Sequence, residues 1–164
     1  MSFSFSSRPA AGLDELRAQW QRYHAYLAEH AGRFPPGARA LVTEGWYHDP
    51  SDPRCPHEAR LVALAIAEES AGAGAGAAPG TVTVTLRLLG VDEDRILELR
   101  YREVSRYRLE LTAGNDGHRE WLYDELRVTD AGRVVHEIEW AGAAATASWR
   151  LEAADVEFTW TPAA

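Results

Sequence analysis

Side chains able to bind a metal ion or move a proton crowd one stretch of the chain, from Trp46-Tyr47-His48-Asp49 to Cys55-Pro56-His57-Glu58. Zinc takes three or four N, S or O ligands at about 2.0–2.3 Å, so His48, Cys55 and His57 form a candidate site, with Asp49 or Glu58 near. A Cys-x-His pair around a proline is a poor match to the usual ligand spacings, and no second Cys pair exists. The competing reading is a stiff loop whose polar groups cap backbone amides, because Pro50, Pro53 and Pro56 fall within seven residues and fix the backbone there. Cys55 beside His48 or His57 has the parts of a nucleophile and its base, yet no glycine-rich oxyanion element flanks it. The alternative is a passive, partly buried thiol.

A second constellation involves His136 and Asp124. His136 shares a strand face with Val134, Ile138 and Trp140, and Asp124 interrupts the apolar face Leu122, Leu126 and Val128 of the preceding strand. A histidine on such a face is commonly a hydrogen-bonded core residue. Here a carboxylate intrudes on the neighbouring face, and buried carboxylates must be paired, so the two are expected to be partners, facing either the core or a concave pocket. His118, Arg119, Glu120 and Trp121 follow the Asn115-Asp116-Gly117 turn and are expected at the sheet rim.

The elements that must position these groups are legible from periodicity. Leu13, Leu16, Trp20, Tyr23, Leu27 and His30 recur at spacings of three and four, which predicts an amphipathic helix from Leu13 to about Ala31, stopped by Gly32 and Pro35-Pro36. Residues 36–45 suggest a short second helix. After the proline-rich loop the period becomes two: Val62, Leu64 and Ile66; Val82, Val84, Leu86 and Leu88; Leu97, Leu99 and Tyr101; Tyr107, Leu109 and Leu111; then the faces of Asp124 and His136, Trp149 with Leu151, and Val156, Phe158 and Trp160. Short turns such as Asp130-Ala131-Gly132 separate them, too short for parallel crossovers. The prediction is an α+β fold: an N-terminal amphipathic helix packed on a curved antiparallel β-meander of about seven or eight strands, as a half-barrel or two layers. One domain is expected over 1–164, with a loose leader at 1–12, a helical part at 13–45, the proline-rich loop at 46–58 and the sheet at 59–161. The Ala-Gly tract 71–80 reads as a flexible hairpin insertion.

Composition bounds the function. The net charge is -8, all 17 basic residues are Arg, and nucleic-acid binding, which needs clustered Lys or Arg, is disfavoured. The Arg, Ala and Gly bias fits a GC-rich bacterial genome. Five acids from Val134 onward (Glu137, Glu139, Glu152, Asp155, Glu157) against Arg150 alone suggest an acidic surface. A lone Cys55 fits a reducing compartment, and no apolar run approaches the ~18 residues of a membrane span, so a cytoplasmic location is expected. Walker A, G-x-G-x-x-G, H-E-x-x-H, G-x-S-x-G and C-x-x-C patterns are missing, which favours binding over catalysis and implies no obligatory cofactor, zinc excepted if the loop holds it.

The ordered landmarks Trp46-Tyr47-His48-Asp49, Cys55-Pro56-His57-Glu58, Arg87-Leu88-Leu89-Gly90, Leu99-Arg100-Tyr101, Trp121-Leu122-Tyr123-Asp124-Glu125, His136-Glu137-Ile138-Glu139-Trp140 and Asp155-Val156-Glu157-Phe158 resemble those of small uncharacterised bacterial β-rich proteins. More loosely, they are similar to immunity proteins of polymorphic toxin systems. The resemblance implies a protein-binding module that neutralises a cognate toxin, a basic one if the acidic strands meet it, with Trp46, Tyr47, Trp121 and Tyr123 as aromatic anchors. The alternative is a small-molecule-binding domain with Asp124 and His136 in a pocket between sheet and helix. A metal- or Cys-dependent enzyme using the 46–58 loop is the third reading.

Overall fold

The computed structural model describes residues 13–69, 80–111, 117–142 and 145–163. The leader, most of the Ala-Gly tract and residues Asn115 and Asp116 of the predicted turn lie outside the described residues. Two helices, α1 (Leu13–His30) and α2 (Pro36–Thr43), precede eight strands: β1 (Arg60–Glu69), β2 (Thr81–Leu89), β3 (Arg95–Arg102), β4 (Arg106–Leu109), β5 (Trp121–Val128), β6 (Val134–Trp140), β7 (Ala147–Ala153) and β8 (Asp155–Pro162). All pairings are antiparallel, in two four-stranded sheets ordered β1-β2-β3-β8 and β4-β7-β6-β5.

The connectivity departs from a simple meander. The chain leaves the first sheet between β3 and β4 and returns between β7 and β8, so β8 lies beside β3 and β7 beside β4. The corner is continuous: Ala154 N donates to Arg102 O at 2.9 Å and Ser105 N to Glu152 O at 2.9 Å. Glu103, at φ 48, takes the left-handed turn that bends the β3–β4 path. Such a bend lets one twisted ribbon serve both sheets and wrap a common core.

That core follows the predicted alternation on most strands. Val84, Leu86, Leu88, Leu97, Leu99, Tyr101, Ile138, Trp149 and Leu151 are buried, and Trp140 sits between Trp121 and Trp149 at ring distances of 5.3 and 4.9 Å. Two strands differ. Val62, Leu64 and Ile66 remain 48, 38 and 44% exposed, because nothing among the described residues covers that face of β1. Tyr107 and Leu111 are likewise exposed, at the short edge strand β4 and just past it.

The helices meet the sheets through backbone-directed hydrogen bonds. Tyr23 and Tyr26, one turn apart on α1, accept the amides of Leu126 (2.7 Å) and Val128 (3.0 Å) through their hydroxyls, so α1 satisfies alternate amides along the β5 edge. Asp155 at the start of β8 accepts the Gly37 and Ala38 amides at 2.9 and 2.8 Å, capping α2 from a distant strand. Gly37 is required there, since a Cβ would lie 2.4 Å from the Val156 carbonyl. No described helix is long and apolar enough to cross a membrane.

The late acids are engaged locally. Glu137 pairs with Arg127 and Arg150, Glu157 with Arg102 at 2.8 Å, Glu152 with Arg133 at 3.7 Å, and Asp155 caps α2. Little of the predicted acidic surface is left as free charge.

Candidate functional site

The 46–58 loop begins as a 3-10 turn, Gly45–His48, and continues in tight turns, with Asp52 N donating to Asp49 O and Cys55 N to Asp52 O. Its acids act as caps. Asp49 accepts from the Ser51 amide and hydroxyl, and Asp52 accepts from the Arg54 amide and guanidinium, which holds the Asp52 carboxyl down to about 2. Glu58, at φ 66, ends the loop with its amide on the Trp121 carbonyl (2.8 Å), and Trp121 N donates to Ala59 O at 2.9 Å. The loop is thereby fastened to β5 at the point where the β1 and β5 edges approach.

The same point carries a β-bulge. The β5–β6 register runs Trp121 with Trp140 and then Tyr123 with Glu139, so one extra residue, Leu122, is accommodated. The bulge breaks the parity that would put residues 121 and 124 on opposite faces. Trp121 turns inward, fully buried, and its Nε1 donates to Asp124 Oδ1 at 3.2 Å. Trp121 opens β5 at the end of the strand but is buried there rather than displayed, and His118 too is partly covered, against the Trp140 and Trp149 rings.

Asp124 is the centre of a buried polar network. Its Oδ2 accepts from the Tyr47 hydroxyl at 2.7 Å and from His136 Nε2 at 3.1 Å, confirming the predicted pairing of His136 with Asp124. On the far side, Tyr101 Oη lies 2.6 Å from His136 Nδ1. An ionised carboxylate accepts only, so Nε2 carries a proton toward Asp124, and the Tyr101 hydroxyl is the partner of Nδ1. Burial alone would raise the Asp124 pKa; the hydrogen bond and charge of His136, then His48 and Tyr47, outweigh it and hold the carboxyl below its ordinary value. Burial first, and then the charge of Asp124, raises Tyr47 and Tyr101 well above the usual phenol range, so both phenols stay protonated.

A pocket of about 280 Å³ opens over this network. Its walls come from α1 (Arg17, Trp20), the loop (Tyr47, His48, Pro50, Cys55, Pro56, His57) and β5 (Trp121, Leu122, Tyr123, Asp124), and they are mostly apolar. Asp124 keeps 10% of its side-chain exposure, whereas His136 has none and stands behind it. His57 meets Tyr123 edge to face at 6.0 Å. His48 packs against Trp20, Tyr23, His24 and Tyr47; its Nε2 is buried with no hydrogen-bond partner, and burial pushes its pKa down to about 4.

The structure thus gathers Tyr47, His48, Cys55, His57, Trp121, Tyr123 and Asp124 around one cavity, with His136 beneath. Trp46 is not among them: it is buried elsewhere, edge-on to Phe158 and Trp160. Three of the four expected aromatic anchors, Trp46, Tyr47 and Trp121, are buried rather than displayed. His48, Cys55 and His57 share the pocket wall but do not form a ligand set, and no group of three or more His, Cys, Asp or Glu among the described residues is arranged to hold a metal ion. The Cys55 Sγ–H donates to Tyr47 O at 3.2 Å, and burial pushes the thiol up to about 11, which suits a passive thiol rather than a nucleophile.

Sequence reasoning missed Tyr101, Trp20 and Arg17. Tyr101 was detectable, since it ends the buried alternation Leu97, Leu99, Tyr101 and a buried phenol needs a partner. Comparison with known proteins finds no family model, no curated protein and no solved structure that matches this chain.

Proposed function

We propose that the protein is a small-molecule-binding domain, acting in the cytoplasm, whose ligand occupies the pocket between α1, the 46–58 loop and β5. The observation that carries this reading is a carboxylate, Asp124, held by three donors at the floor of a mostly apolar cavity. Fixing a charge in such a place costs stability, and a core needs no such group; a binding site does. Leu122, Tyr123 and Pro56 supply contact area, and Asp124 supplies orientation. The test is a thermal-shift screen of a metabolite library against the wild type and Leu122→Trp, whose larger side chain fills the cavity. Ligands that raise the wild-type Tm and leave Leu122→Trp unmoved support the reading; a library that stabilises both proteins alike, or neither, refutes it.

A second reading is the protein-binding module of immunity type. With three of the expected anchors buried, its support is the apolar edge strand β1, where Val62, Leu64 and Ile66 are exposed and the outer edge pairs with no other strand among the described residues. Copurification with a toxin encoded beside its gene, abolished by Leu64→Lys, tests it; a complex indifferent to that change removes β1 from the interface.

A further inference from the structure

We propose that the pocket selects an organic ammonium ion carried on a compact aromatic body; this deepens, and rests on, the small-molecule reading above. Three features lead there. First, every group bound to Asp124 donates to it: the Tyr47 hydroxyl, Trp121 Nε1 and His136 Nε2. A carboxylate has about four acceptor positions, so one is left for a ligand, and the ligand must be a donor. Asp124 lines the pocket and keeps 10% exposure, which makes it the polar group a ligand meets at the floor.

Second, the site offers little to an anion. The Tyr47 and Trp121 donors are already spent on Asp124, and His48 stays uncharged at neutral pH because burial pushes its pKa to about 4. Arg17 is the cation at the mouth; its side chain is 77% exposed and lies 3.6 Å from Asp14, so solvent and its neighbour screen it. A net charge of -8 further favours approach of a cation.

Third, the walls are aromatic. Trp20 and Tyr123 stand at the cavity wall, and indole and phenol rings attract an ammonium while their area accepts an apolar body. A volume of about 280 Å³ is at the small end for ligand sites. It suits on the order of ten to fifteen non-hydrogen atoms, a bicyclic ring with a short aminoalkyl arm.

The test uses three probes of one shape and different charge on the full chain at neutral pH, by isothermal titration calorimetry: tryptamine, the neutral alcohol tryptophol, and indole-3-acetate. Tryptamine is expected to bind at least ~10-fold more tightly than tryptophol and ~100-fold more tightly than indole-3-acetate, as a charge-assisted hydrogen bond to a desolvated carboxylate requires. Asp124→Asn is expected to bring tryptamine down to the tryptophol level. Should that variant fail to fold, the wild-type ranking stands alone, and Trp20→Leu, at the pocket wall, is expected to weaken tryptamine several-fold. Equal or tighter binding of tryptophol or indole-3-acetate overturns the ammonium assignment while leaving a small-molecule pocket. No binding of any probe up to about 1 mM also overturns it, and the library screen on Leu122→Trp then decides the wider reading separately.

Discussion

Acidification offers a sharp test of how the pocket wall is built, through His48. In the folded chain burial keeps this ring uncharged down to about pH 4, whereas in the unfolded chain it takes a proton near 6.5. Between those values unfolding takes up a proton, so stability is fully present above about pH 6.5 and is lost as the pH falls toward 4. The separation between 6.5 and about 4 amounts to about 3 kcal/mol, most of which disappears between pH 7.5 and pH 4.5. His24, His118 and Asp124, all held below their ordinary values, act in the same direction, so the wild type alone does not isolate His48. His48→Phe does. It keeps the edge-to-face contacts with Trp20, Tyr23 and Tyr47 and removes both the titration and the unpartnered Nε2. Urea unfolding followed by tryptophan fluorescence at the two pH values gives ΔG for each protein. The variant should equal or exceed the wild type at pH 7.5 and lose about 2–3 kcal/mol less on acidification. If both proteins lose stability in parallel, within about 0.5 kcal/mol, the ring is not excluded from protonation and the packing described around it is wrong.

Three further outcomes follow from contacts elsewhere in the fold. Gly37→Ala should cost more than about 2 kcal/mol in urea unfolding, because the new Cβ meets the Val156 carbonyl at 2.4 Å and displaces the amides that Asp155 caps; a neutral effect would deny that α2 is seated on β8. Tyr23→Phe removes the acceptor of the Leu126 amide and should cost about 1–3 kcal/mol, with faster amide exchange at Leu126; unchanged protection there would mean that α1 does not cover the β5 edge. Cys55, with a buried thiol pushed up to about 11, should react with a soluble disulfide reagent far more slowly in the native chain than in urea, and rapid native labelling would contradict its placement.

The bulge in β5 shows how the candidate site escaped a reading by parity. Taken as a regular strand, Trp121 and Asp124 point to opposite faces, and the tryptophan goes to the rim. One extra residue, Leu122, reverses this and puts the indole N–H on the carboxylate. A bulge depends on what the partner strand and the neighbouring loop demand, here Glu58 and Ala59 bonding the Trp121 backbone, and these lie more than sixty positions away in the chain. The opposite failure occurs on β1. Its alternation predicts a buried face, yet burial requires a second layer, and none of the described residues supplies one over Val62, Leu64 and Ile66.

What the amino-acid order determined by itself was local and periodic: the helix from Leu13, the short helix after Pro35-Pro36, antiparallel strands with most of their inward residues, a stiff loop whose polar groups cap backbone amides, and the mutual need of His136 and Asp124. Each of these rests on neighbours within a few residues, or on the rule that a buried charge must find a partner. The tertiary structure alone decided the exchange of strands between the two sheets, the use of Tyr23 and Tyr26 to satisfy the β5 edge, and the convergence of α1, loop and β5 on one cavity. Those depend on which faces are left uncovered after the chain has curled, and that geometry exists only once every strand is in place.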